Sequence, residues 1–254
     1  MNASTQIKKL ANLVTVISDR KNIYYFPINI LTLWDYQCLI NLQRFKKASA
    51  SSLKTWLEVI GEMEELNSLS TIAFEHSDWA MPKFQDGPPI FDAIKLGHPL
   101  LGDKRIYNNI HIDKSQNIIL ITGSNMSGKS TLLRTTGINL VLAYTGAPVY
   151  CESFTCSIMD IYTCMRTSDN LEKNISSFYA ELLRIKKLVT ATEDKTPIFF
   201  LLDEIFKGTN SIDRHTGAKV LVSKLSNENA LGFVSTHDLE LGDIEKKIGR
   251  ASCR

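Results

Sequence analysis

The sequence predicts two parts in series: an all-α helical segment over residues 1–85, then an α/β domain built on a largely parallel sheet. Three observations carry that reading. Apolar residues recur at helical spacing through the first 85 or so residues without strand alternation; further on, short β-branched apolar runs alternate with helical patterns; and a glycine-rich loop joins one such run to the next helix. With 254 residues, 44% hydrophobic and 22% charged, the chain can bury a sizeable core and is neither disordered nor collagen-like in composition.

In the first part, Ile7, Leu10, Val14 and Ile17 mark a helix that Asn22 and Pro27 end. A second helix is expected over Ile30 to Phe45. A third begins after Ser51 or Ser52, either of which can serve as N-cap, and carries Leu53, Trp56, Leu57, Ile60 and Met63, then Leu66 and Leu69. The acidic run Glu62, Glu64, Glu65 lacks a His or Asp at ligand spacing and reads as a solvated face. Residues 1–90 hold nine Lys/Arg and nine Asp/Glu, so these helices are electrically neutral. Met81 to Pro89 concentrates Pro and Gly and is the expected boundary; the second domain is read over 86–247.

In the second part, Asn117 to Thr122 is a short strand, followed by a helix to Tyr144 that Gly146 and Pro148 end. Phe154 to Met165 alternates like one or two strands, Ser176 to Thr190 reads as a helix, and Pro197 to Leu202 as a fully buried strand. Asp213 to Leu225 is helical, Leu231 to Ser235 is another buried strand, and a last helix starts at Asp238. Strands alternating with helices imply a parallel sheet covered on both faces.

The net charge is 29 − 27 = +2, so affinity for DNA cannot come from an overall cationic field. Five cysteines (Cys38, Cys151, Cys156, Cys164, Cys253) form no C-x-x-C pair and suit reduced core thiols in a cytoplasmic setting. The N-terminus has no continuous apolar run before a cleavage site, and Ile23 to Leu42 is interrupted by Pro27, Asn29, Asp35, Gln37 and Asn41. No membrane segment is expected within this chain.

Gly123-Ser124-Asn125-Met126-Ser127-Gly128-Lys129-Ser130 fits G-x-x-x-x-G-K-[ST], directly after a buried strand and opening a helix. Its backbone N–H groups can face a phosphate, and the helix N-terminus favours negative charge there. Lys129 would reach the β- and γ-phosphates, and Ser130 would ligate Mg²⁺. Phe199 to Glu204 is an apolar strand ending in two acids. Asp203 can hold Mg²⁺ through water and Glu204 can orient or deprotonate an attacking water, although such a pair also occurs at helix N-caps and surface turns. His237 follows the strand Leu231 to Ser235, where an imidazole can sense a γ-phosphate or serve as a structural residue. The second part therefore reads as an α/β P-loop NTPase domain.

Four ordered motifs resemble the ATPase domain of the MutS-type DNA mismatch repair family, within the ABC-type ATPase class. They are Thr122 to Thr131, Ser168 to Glu181, Leu202 to Asp213 and Ser235 to Leu241. The similarity covers about residues 91–247, and the preceding helices resemble the end of the family's lever region. It implies a Mg²⁺-dependent ATPase that works as a homodimer with composite ATP sites and couples its nucleotide state to DNA binding. It makes Asn125 and Thr131 part of the nucleotide loop and places Ser176 across the dimer interface, at the partner's γ-phosphate. It sets Asp213 in the loop linking the two sites, and Ile106 and Tyr107 near adenine. Glu204, His237 and Lys129 are the implied catalytic residues.

Departures from the family pattern are Asn174 for the usual Gly of the signature loop, Ser124 for the usual proline, and Phe206-Lys207 for a small and basic pair. They resemble a divergent bacterial branch whose longer members carry membrane spans ahead of the helices. No F-x-E motif, which the family uses to read mismatches, occurs in the chain. A nucleotide-gated scaffold, or a membrane-associated MutS-like protein without mismatch recognition, is the alternative expectation. The SMC-like and transporter classes lack support, because no L-S-G-G-Q-like signature is present. Ile248 to Arg254 reads like a translated sequencing adapter, which would end the natural sequence near Lys246 or Lys247; a genuine short polar tail is the other reading.

Overall fold

Apolar runs too short for helices and too continuous for half-exposed strands dictate a sheet buried on both faces. The computed structural model describes residues 3–18, 25–102, 106–124, 126–165, 177–193, 196–206, 208–226, 229–236 and 248–252. Five strands form that sheet: β4 (Ile118–Thr122), β6 (Asp160–Cys164), β7 (Ile198–Asp203), β8 (Ala230–Thr236) and β9 (Ile248–Ser252), in the order β6-β7-β8-β4-β9 and all parallel. Alternate residues of β7 enter different cores. Phe199 and Leu201 join Phe91, Leu133, Leu140 and Phe154 on one side. Phe200 and Leu202 join Ile185, Leu188, Leu221 and Leu225 on the other. Helix α4 (Lys129–Tyr144) supplies the first side; α5 (Ser177–Ala191) and α6 (Ser211–Ser226) supply the second.

A second sheet of four strands, which the helical and apolar patterns did not announce, completes the first core. It comprises β1 (Lys83–Phe84), β2 (Phe91–Leu96), β3 (Asn108–Ile112) and β5 (Ser153–Cys156) in the order β1-β5-β2-β3. Strand β2 is antiparallel to both neighbours. The segment Phe154 to Met165 thus splits between two sheets. The Pro/Gly-rich stretch expected as a boundary lies inside this unit, because Ala80 exchanges backbone hydrogen bonds with Val149 and β1 pairs with β5. The chain divides instead into units 1–69 and 70–254.

In the helical unit, α1 (Ala3–Ser18) and α2 (Tyr25–Thr32) precede α3 (Trp34–Glu75). Pro27 sits in the first turn of α2, where its missing N–H costs no helical bond. The separate second and third helices expected here are one: α3 runs 42 residues through Ser49, Ser51 and Ser52. Serine is only mildly unfavourable inside a helix, and no Gly or Pro interrupts residues 46–52. The acidic run Glu62, Glu64, Glu65 is exposed, and no group of three metal-ligating side chains occurs among the described residues. No helix among them is long and apolar enough to cross a membrane. Residues 248–252, read from sequence as a tail, pair in register with β4. The helix expected from Asp238 lies outside the described residues.

Cys38, Cys151, Cys156 and Cys164 are free and buried, and Cys253 lies outside the described residues. Burial pushes Cys151 and Cys156 up to about 12 and Cys164 to about 11, which suits inert core thiols.

At the edge of the second sheet, His111 Nδ1 lies 2.7 Å from Asp92 Oδ1, and its Nε2 lies 3.5 Å from Asp113 Oδ2. The hydrogen bond to Asp92 chiefly, with lesser help from Asp113 and against burial, raises the His111 pKa above its ordinary value. A raised folded-state pKa means stability that is full below the unfolded value and lost as pH rises through the folded one. The stability gap between wild type and His111→Ala, measured by urea unfolding, should therefore be widest near about pH 5 and close by about pH 9. A second expectation concerns Gly232 on β8, where a Cβ would lie 2.2 Å from the Phe200 carbonyl oxygen. Gly232→Ala should cost about 2 kcal/mol or more, read from the same unfolding curves.

Candidate functional site

The in-register pairing of β4, β8 and β7 brings their C-terminal ends level. Thr122 lies beside Thr236, and Ser235 beside Asp203. Whatever follows these strands therefore meets at one edge of the sheet, the side on which open α/β sheets bind ligands.

The loop after β4 turns back into α4 through Met126 and Gly128, both in left-handed backbone with φ 64° and 92°. Only glycine adopts such a φ without strain, which explains Gly128 at the helix N-cap. The side chain of Lys129, 4% exposed, folds under the loop and donates to the carbonyl oxygens of Gly123 (2.9 Å) and Ser124 (2.7 Å). A buried ammonium thus stands directly beneath the turn. Ser127 Oγ is shielded and has no hydrogen-bond partner among the described residues. Asn125 lies outside them.

Across the edge, Asp203 is 7% exposed and held by two hydroxyls. Ser130 Oγ donates to Oδ2 (2.6 Å) and Ser235 Oγ to Oδ1 (2.5 Å). Since the Ser130 hydroxyl hydrogen points at Asp203, its lone pairs stay available to a cation. Glu204 takes left-handed backbone (φ 50°), and its N–H is shared between the carbonyl oxygen and Oγ of Ser235, each at 3.1 Å. An open cavity of about 440 Å³ is lined by Met126 to Thr131 and by Glu204. The structure thus brings together Gly123, Ser124, Met126, Ser127, Gly128, Lys129, Ser130, Thr131, Asp203 and Glu204.

Asp213, Ile106 and Tyr107 are not among the residues that line this cavity. Asp213 lies in the first turn of α6, which Asn210 caps: Asn210 Oδ1 accepts from the Asp213 N–H (2.9 Å) and Asn210 Nδ2 donates to Asp213 Oδ2 (2.8 Å). Tyr107 OH bonds Tyr150 OH at 2.5 Å, and Ile106 is exposed. Ser176 and His237 lie outside the described residues. Ser235, given no role from sequence, proves central; its position at the end of a strand parallel to Phe199–Asp203 was the signal. Ser235→Ala should remove one donor from the buried Asp203 carboxylate and cost about 1–3 kcal/mol in chemical denaturation.

A family model for MutS domain V matches residues 119–253. The chain is 33% identical over 222 residues to the DNA mismatch repair protein MutS of Staphylococcus carnosus (strain TM300), covering 84% of this chain and 25% of that protein. It is likewise 33% identical to that of Staphylococcus saprophyticus, covering 84% and 24%, and 31% identical to that of Staphylococcus aureus (strain JH9), covering 84% and 25%. The chain spans about a quarter of the length of these relatives.

Proposed function

The chain belongs to the MutS family, and from that premise we propose that it is the ATP-binding and ATP-hydrolysing part of a DNA mismatch repair protein, an α/β P-loop NTPase domain of the ABC-type ATPase class. The observation that carries the reading is a buried cation, Lys129, sharing one cavity edge with the Ser130–Asp203 pair and with Glu204.

The residues present fit a nucleotide triphosphate and a divalent cation. Ser127 Oγ, without a partner among the described residues, and the ammonium of Lys129 supply donors to phosphate oxygens. The glycine turn brings backbone N–H groups close to the same place. Ser130 Oγ and Asp203 would hold Mg²⁺, which supplies neutralisation of phosphate charge when bound. Glu204 accepts the proton of the attacking water as its oxygen bonds to the γ-phosphorus; the bond to the β-phosphate oxygen breaks, leaving ADP and phosphate. Ser130 and Lys129 fix the direction of that displacement. Asn125 joins the loop, and His237 acts on the γ-phosphate. Ser176 completes the site of a partner copy, and Asp213 links the two, so that nucleotide state controls homodimerisation and, in the whole protein, DNA binding.

Binding of a fluorescent ATP analogue with Mg²⁺, together with steady-state phosphate release, tests the reading. Lys129→Ala should weaken nucleotide binding by about a hundredfold or more, since it removes a buried charge from the phosphates. Glu204→Gln should bind nucleotide as wild type does while turnover falls by about a hundredfold or more. Turnover unchanged in Glu204→Gln would remove that residue from the reaction.

A further inference from the structure

Helix α5 turns one stripe toward the sheet, marked by buried Ile185 and Leu188. Glu181 lies on that same stripe one turn earlier, half-buried where the spacing calls for an apolar residue. A carboxylate in such a place needs a donor. One such donor is a backbone group: the N–H of Phe206 bonds Glu181 Oε1.

That N–H belongs to the turn that follows β7. Glu204 and Phe206 both take left-handed backbone there, with φ of 50° and 61°, on either side of buried Ile205. Non-glycine residues hold this conformation only when their surroundings impose it. From the β8 side, Ser235 takes the N–H of Glu204. From the α5 side, Glu181 takes the N–H of Phe206, and Phe178 packs over Gly208, where a Cβ would come within 2.8 Å of Phe178 Cβ. The Phe206 ring in turn lies over Gly217 of α6, 3.3 Å from where a Cβ would stand. The turn is therefore gripped from two sides, at the N–H of Glu204 and at the N–H of Phe206, with buried Ile205 between the two grips.

We propose that Glu181 is a positioning residue for Glu204: by holding the Phe206 N–H it fixes the left-handed turn that aims the Glu204 carboxylate into the cavity beside Lys129 and Ser130. This rests on the hydrolytic reading above. Glu181 is not part of the cavity lining and acts through the backbone.

The test uses the whole 254-residue chain. Amide hydrogen exchange at Phe206, affinity for a fluorescent ATP analogue, and kcat and KM for ATP are measured for wild type, Glu181→Ala and Glu181→Gln. In the alanine variant, exchange at Phe206 should quicken by about tenfold or more, and kcat should fall about ten- to a hundredfold, while KM and analogue affinity stay within about twofold. Gln keeps an oxygen acceptor and should restore most of both losses. Where alanine does not fold, Glu181→Met fills the stripe without offering a comparable acceptor and serves in its place. Wild-type kcat or wild-type exchange in the variant lacking the acceptor overturns the proposal. So does a parallel loss of nucleotide affinity, which would make Glu181 merely structural. Tight nucleotide binding with no turnover in wild type overturns the hydrolytic reading, and this inference falls with it.

Discussion

The Asp203 carboxylate, held between the hydroxyls of Ser130 and Ser235, is the joint on which the rest of the candidate site depends. Each hydroxyl comes from a different element, one from the first turn of α4 and one from the end of β8. A charged group that is 7% exposed must have its lone pairs satisfied, and here the satisfying donors are themselves parts of the site. Fixing Asp203 therefore fixes the start of α4 relative to two strand ends. Lys129, next in sequence to Ser130, is set by the same contact.

This joint forms only because of the sheet beneath it. Parallel pairing places Ser235 opposite Asp203, and a one-residue slip would turn every side chain of β7 to the opposite core. The register is strongly specified because both faces of β7 are buried: moving Phe199 and Phe200 into each other's places would disturb two packed clusters at once. Gly232 adds a steric pin, since only a residue without a side chain fits beside the Phe200 carbonyl. Core packing and site geometry are thus a single constraint, and the strained turn at Glu204 to Phe206 is its local cost.

The parts of this arrangement legible in the sequence were those with a strong local signal. Apolar runs located β4, β7 and β8 to within a residue or two, and the glycine spacing located the loop and Lys129. The four-stranded sheet was not legible as such. Strand β2 alternates only through Phe91 and Ala93 before a bulge shifts its register, and β1 has two residues, too few for any periodicity. Its long-range pairings leave no local trace. Ser235 and Glu181 were within the recognised motifs, yet their roles depend on partners 32 and 25 residues away in the chain, reached only by folding. The joined α3 shows the opposite failure: local serines suggested a cap where nothing in the surroundings required the helix to stop.

The two units also draw their stability from different sources. In the α/β unit, large side chains such as Phe91, Phe154, Phe199, Phe200 and Phe233 are fully buried, so area removed from water dominates. In α3, which at 42 residues extends about 60 Å, only Cys38 and Ser49 are buried. Short isolated helices are marginal, but nucleation is met once and each further residue adds a bond, so a helix this long gains from length itself. Substitutions along most of α3 should therefore register by their helix propensity, whereas in the sheet the same changes register by volume and register. That difference follows from how each unit excludes water, and it explains why one unit's elements were read best from apolar runs and the other's boundaries were not.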